Sequence, residues 1–120
     1  MLALVVDDSA AMRHHLSKAL RNLGWQVRNA CSGTEALAVL GTLPSCDLIL
    51  TDWHMPGMDG VELCRAVRRH EKYGSVKIVM VTSDAVMSAV NEALLAGVDD
   101  FVMKPFTPQV LQERLEAIMD

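Results

Sequence analysis

Several apolar runs of this chain stop at residues that can do chemistry. Asp7 and Asp8 follow Leu2 to Val6, Asp52 follows the run ending at Thr51, Thr82 and Ser83 follow Val76 to Val81, and Lys104 follows Val98 to Met103. Three carboxylates brought together repel one another unless a cation sits among them or one stays protonated. An all-oxygen donor set suits a hard divalent ion such as Mg²⁺, which keeps several waters and takes phosphate oxygens to complete its octahedron. A lysine and a hydroxyl opposite would hold the remaining phosphoryl oxygens, and a carboxylate can itself be the nucleophile that forms an acyl phosphate. The residue types therefore point to phosphoryl transfer onto an aspartate.

That chemistry requires elements that bring the run ends to one place. The apolar runs Leu2 to Val6, Trp25 to Asn29, Asp47 to Thr51, Val76 to Val81 and Val98 to Met103 are continuous rather than alternating, as in strands covered on both faces of a parallel sheet. Each is followed by a helical pattern. Met12, Leu16, Ala19, Leu20 and Leu23 share one face of a first helix, which Gly24 stops. Ser32 and Glu35 form a capping box for a second, Asp59 and Glu62 for a third, and a fourth runs from Asp84 to Gly97. Thr107 and Pro108 open the last helix, which carries Leu111, Leu115 and Ile118. Five βα units predict a doubly wound, three-layer α/β sandwich with helices on both faces, and ligands bind such sheets at the carboxyl ends of the strands.

A length of 120 residues fits a single domain over 1–120, and 51% hydrophobic residues supply its core. The net charge of −4 argues against a nucleic-acid binder, since neutralising phosphates needs a basic surface that the chain lacks overall. Cys31, Cys46 and Cys64 show no metal-ligand spacing and read as reduced, mostly buried thiols, which suits the cytoplasm. The stretch before Asp7 and Asp8 is too short and too acidic to read as a signal peptide, so none is expected, and no run approaches the ~18 apolar residues of a membrane span.

The motifs VVDDS, LILTDWHMPGMDG, VMVTS and FVMKPF, in this order across essentially the whole chain, resemble the receiver domain of two-component response regulators, of the chemotaxis CheY type. The resemblance implies the 2-1-3-4-5 strand order of that flavodoxin-like fold. It also implies Asp52 as phosphoacceptor, Asp8 and Asp52 as direct Mg²⁺ ligands (Mn²⁺ as a substitute), Asp7 acting through water, and the His54 backbone carbonyl completing the metal site. Thr82 matches the hydroxyl that turns toward the phosphoryl group, Lys104 the phosphate-facing lysine on a cis bond to Pro105, and Phe101 the aromatic switch. Lacking a hydroxyl, Phe101 can contribute through packing alone. His54 and Asp84 stand at positions that tune phosphoryl lifetime in relatives, and they are expected to pair across the pocket mouth.

The implied partners are a histidine kinase or phosphotransfer protein bearing phosphohistidine, and a downstream protein target on the face of the fourth helix, fifth strand and fifth helix. The chain is expected to be a monomer or weak dimer that acts on itself and is not a metabolic enzyme. The fourth helix is apolar beyond the needs of one core-facing stripe, so Val86, Met87 and Val90, with Phe101, are expected to form an outward docking patch. Arg13, His14, Lys18 and Arg21 read as a basic outer face of the first helix. Arg65, Arg68, Arg69 and Lys72 complement the end of the third. Plainer accounts exist for each site residue alone: Asp8 as a helix N-cap, Thr82 as a capping hydroxyl, Lys104 as a solvated lysine. A docking module independent of phosphorylation is the alternative function. A haloacid-dehalogenase-type phosphatase lacks its Asp-x-Asp motif here, and a flavodoxin-like carrier lacks its phosphate loop.

Overall fold

The computed structural model describes residues 1–83 and 87–119; Asp84 and Val86 lie outside the described residues, as does the side chain of Met87. Strands β1 (Leu2–Val6), β2 (Gln26–Ala30), β3 (Leu48–Thr51), β4 (Lys77–Thr82) and β5 (Asp100–Met103) alternate with helices α1 (Ala10–Asn22), α2 (Gly33–Thr42), α3 (Gly60–Arg68), α4 (Met87–Ala96) and α5 (Pro108–Met119). All pairings are parallel, in the order β2-β1-β3-β4-β5. The expected architecture is the one observed. The second strand is set one residue later than its apolar run: the Trp25 N–H donates to the Leu20 carbonyl at the end of α1, and the ladder begins at Gln26.

Continuous apolar strands follow from burial on both faces. Leu4, Val6, Ile49, Ile78 and Met80 pack against α2, α3 and α4 through Leu40, Leu63, Val67 and Ala93. The alternate residues Val5, Leu48, Leu50, Val79 and Val81 face α1 and α5 through Leu16, Leu20, Leu111 and Leu115. Each such aliphatic side chain removed from water contributes about 1.5–3 kcal/mol. The edge strand β2 differs, exposing Gln26, Arg28 and Asn29, polar residues that discourage edge-to-edge pairing.

The helix starts are chemically specified. The hydroxyl of Ser9 accepts from the Met12 N–H at 3.2 Å, so the cap of α1 is Ser9 and the Asp8 carboxylate is released from that task. Asp59 and Glu62 form the full capping box of α3. At α2 only half of the expected box closes: Ser32 accepts from Glu35 N–H, but the Glu35 carboxylate turns to the Cys31 N–H and thiol. Thr107 caps α5 ahead of Pro108. Gly24 and Gly97 stop α1 and α4 at positive φ (93° and 108°), where side chains are strained. The cysteines are less buried than expected, with Cys31 exposed, Cys46 half-buried and Cys64 buried.

At the amino-terminal edge of the sheet, Arg68 clamps four segments together. Its guanidinium donates to the carbonyls of Val76 (2.7 Å), Tyr73 (3.3 Å) and Gly97 (2.9 Å) and pairs with Asp99 at 2.9 Å. Asp99 in turn accepts from the Ile78 N–H. Arg68 is thus an internal strap, while Arg69 beside it is exposed. Arg68→Ala is expected to cost about 2 kcal/mol, a fall of roughly 8 °C in Tm by circular dichroism, with Arg69→Ala unchanged. Equal effects of the two substitutions would contradict the clamp.

Candidate functional site

The site assembles because successive ladder ends deliver the next residue to one edge. Val6 pairs with Ala30 on one side and Thr51 on the other, so Asp7 and Asp52 emerge side by side. The Asp7 N–H donates to the Ala30 carbonyl at 3.2 Å and the Asp52 N–H to the Val6 carbonyl at 3.0 Å. The pairing of β4 with β5 ends at Thr82 and Met103, and the Lys104 N–H then donates to the Thr82 carbonyl at 2.9 Å. A close backbone approach fixes the exit from β3: a Cβ at Gly60 would lie 2.3 Å from the Asp52 carbonyl oxygen, so the start of α3 tolerates no side chain there.

Oxygen atoms of Asp7, Asp8 and Asp52 lie within 4.8 Å of one another. Asp7 is 1% exposed and both its oxygens are engaged, Oδ1 by the Ser9 N–H at 2.8 Å and Oδ2 by Lys104 Nζ at 3.2 Å. Asp8 is exposed and Asp52 half-buried. Oδ1 of Asp52 accepts from the Trp53 N–H at 2.8 Å, and its Oδ2 faces Lys104 Nζ at 3.5 Å. Burial pushes the Asp52 carboxyl up from its ordinary value; Lys104 opposes this, and the neighbouring Asp7 charge adds to it. The Lys104–Pro105 bond is cis, as the resemblance implied. One ammonium against three clustered carboxylates leaves an excess of negative charge, and the all-oxygen donor set fits a hard divalent cation.

Around this centre the aromatic residues are connected. Trp53 is buried; its ring stacks on His54 (centroids 5.9 Å apart, 12° between planes) and lies 6.1 Å from the half-buried ring of Phe101. Thr82 is buried at the end of β4. The proposed pairing of His54 with Asp84 falls outside the described residues.

One expectation about the surface is revised, and the docking patch is seen only in part, since Val86 and the side chain of Met87 lie outside the described residues. Arg13 belongs to no outer basic face: it is half-buried and its Nη1 donates to the Asp7 carbonyl at 2.6 Å, leaving His14, Lys18 and Arg21 exposed. On α4, Val90 is half-buried, whereas Leu94 and Leu95 are exposed, Leu95 by 90%; Met103 on β5 and Val110 on α5 are exposed as well. With only Ser88, Asn91 and Glu92 polar, the helix offers little hydrophobic contrast from which to read its outward side.

Comparison with known proteins agrees with this architecture. Residues 3–116 match the family model described as response regulator receiver domain. The chain is 43% identical to the chemotaxis protein CheY of Pseudomonas aeruginosa, covering all of this chain and 97% of that protein. It is 40% identical to the chemotaxis protein CheY1 of Helicobacter pylori, covering 99% and 97%. The solved structure of Vibrio cholerae CheY4 superposes with a TM-score of 0.92 at 33% identity, covering 98% of this chain and 97% of that one. The chain belongs to the response regulator receiver domain family.

Proposed function

We propose that this chain is a phosphorylation-activated signalling switch whose chemistry acts on its own Asp52. The observation that carries this reading is the placement of Lys104, 3.2 Å from Asp7 and 3.5 Å from Asp52, with Asp8 completing the carboxylate group. A fixed cation thus stands beside Asp52, and oxygen donors surround it. Asp8, Asp52 and the His54 backbone carbonyl would hold Mg²⁺ or Mn²⁺, with Asp7 acting through water, and the ion would supply charge stabilisation to phosphoryl oxygens.

Asp52 acts as the nucleophile. Its carboxylate oxygen forms a bond to phosphorus while the bond from phosphorus to the donor's imidazole nitrogen breaks, and that electron pair stays on the imidazole. The Trp53 N–H orients the carboxylate, and Lys104 neutralises charge on the transferred group. The acyl phosphate adds negative charge and acceptor oxygens beside Thr82, whose hydroxyl turns to hydrogen-bond them. Phe101 then moves into the space behind Thr82. The two states differ by only a few kcal/mol, so target binding and phosphorylation bias one equilibrium. Water later hydrolyses the acyl phosphate, at a rate set by His54 and Asp84.

The donor is a histidine kinase or phosphotransfer protein bearing phosphohistidine. The target binds the face formed by α4, β5 and α5, where Leu94, Leu95, Met103 and Val110 add to Val90. Among the described residues no helix is long and apolar enough to cross a membrane.

Tryptophan fluorescence tests the switch. Mg²⁺ is expected to quench Trp53, beryllofluoride to change the signal again, and Asp52→Asn to abolish the second response; a wild-type chain silent to both additions contradicts the reading. The raised carboxyl pKa of Asp52 predicts a pH effect in EDTA. A raised folded-state value means that folding favours the protonated acid, so this stability is full below the ordinary value of 3.8 and is lost as pH rises through the folded one. Asp52→Asn is therefore expected to be more stable than wild type at pH 7 in urea unfolding, with the gap narrowing as pH falls toward 4. A gap that widens on acidification would contradict the sign.

A further inference from the structure

The loop between β1 and α1 carries two of the three carboxylates, yet Asp8 projects into solvent from it. What holds Asp8 in place must therefore be the loop itself. Asp7 fixes one part by accepting from the Ser9 N–H, and Ser9 fixes another by capping Met12. The Asp7 carbonyl lies beyond Val6, the last ladder residue of β1, and it accepts from the guanidinium of Arg13 at 2.6 Å. Arg13 stands one helical turn into α1, and its own N–H donates to the Ser9 carbonyl at 3.0 Å. Backbone and side chain of this one residue grip the loop on both sides of Asp8.

We propose that Arg13 is a positioning residue for the acidic pocket: by pinning the Asp7 carbonyl it fixes the loop from which Asp8 reaches a divalent cation. Two roles of the guanidinium oppose each other. As a charge near a cation site it repels a second cation and weakens binding. As a clamp it holds an otherwise solvated ligand in place before the metal arrives, which strengthens binding by removing an ordering cost. The hydrogen bond is short, charge-assisted and partly shielded from water, so the clamp dominates. The charge of Arg13 also reaches the end of β2. There the Cys31 thiol is raised chiefly by its hydrogen bond to Glu35, with Arg13 pulling in the opposite direction. The guanidinium itself is seated at the end of β1, on the Asp7 carbonyl.

The inference rests on the metal-dependent reading above, and a titration separates the two. Mg²⁺ is added to wild type, Arg13→Met and Arg13→Lys, following Trp53 fluorescence, with Tm in EDTA measured alongside. Methionine keeps the aliphatic stem and removes the donor. Arg13→Met is expected to bind Mg²⁺ at least fivefold more weakly despite losing a repelling charge, and Arg13→Lys to recover part of the loss. Equal or tighter binding by Arg13→Met overturns the proposal, because that is the result of charge removal alone. A wild-type chain that gives no Mg²⁺ response refutes the functional reading instead. Hydrogen exchange of the 7–12 segment in EDTA supplies the second measurement: faster exchange in Arg13→Met supports the clamp, and unchanged exchange overturns it.

Discussion

Parallel strands deliver their last residues to a common edge, and in this chain two adjacent strands deliver carboxylates, with a third carboxylate next to the first. Two unit charges about 4 Å apart near a protein surface interact by roughly 4 kcal/mol, comparable with a sizeable share of a domain's net stability. Lys104 makes the arrangement tolerable by standing within 3.2 Å of Asp7 and 3.5 Å of Asp52. It does not remove the strain, since burial still pushes the Asp52 carboxyl up. The pocket therefore keeps an excess of negative charge, which on the proposed reading a divalent cation offsets so that a phosphoryl group can reach Asp52.

Much of the remaining structure serves to hold that edge. The cap at Ser9 leaves the Asp8 carboxylate available, the absence of a side chain at Gly60 lets α3 begin against the Asp52 carbonyl, and Asp59 closes the turn with a complete capping box. At the far edge of the sheet Arg68 joins α3, β4 and the turn into β5 without touching the chemistry. Between the two edges the core is a pair of aliphatic layers. Trp53 intrudes on one of them, in contact with Phe101 on one side and His54 on the other.

The strands were legible because burial on both faces leaves unbroken apolar runs, and Asp7, Asp52 and Lys104 were legible because each directly follows such a run. Helix starts were legible where one hydroxyl or carboxylate has a single N–H to serve, as at Asp59. Glu35 shows the limit: two N–H groups compete for its carboxylate, and Cys31 wins. Arg13 was misplaced because helical spacing gives the direction of a Cβ and not the reach of a long side chain, which here curls back to the strand end. The exposure of Leu94 and Leu95 was hidden by the prevailing apolarity of α4, broken only by Ser88, Asn91 and Glu92, and the contact of Trp53 with Phe101 by its distance along the chain.

The central claim is that Asp52 alone accepts the phosphoryl group, and trapping the acyl phosphate tests it most directly. After reaction with acetyl phosphate and Mg²⁺, borohydride reduction converts an aspartyl phosphate to homoserine, which peptide mass spectrometry locates. The account predicts homoserine at position 52 and none at positions 7 or 8. Reduction at Asp7 or Asp8, or none anywhere in a folded, Mg²⁺-loaded sample, would contradict it.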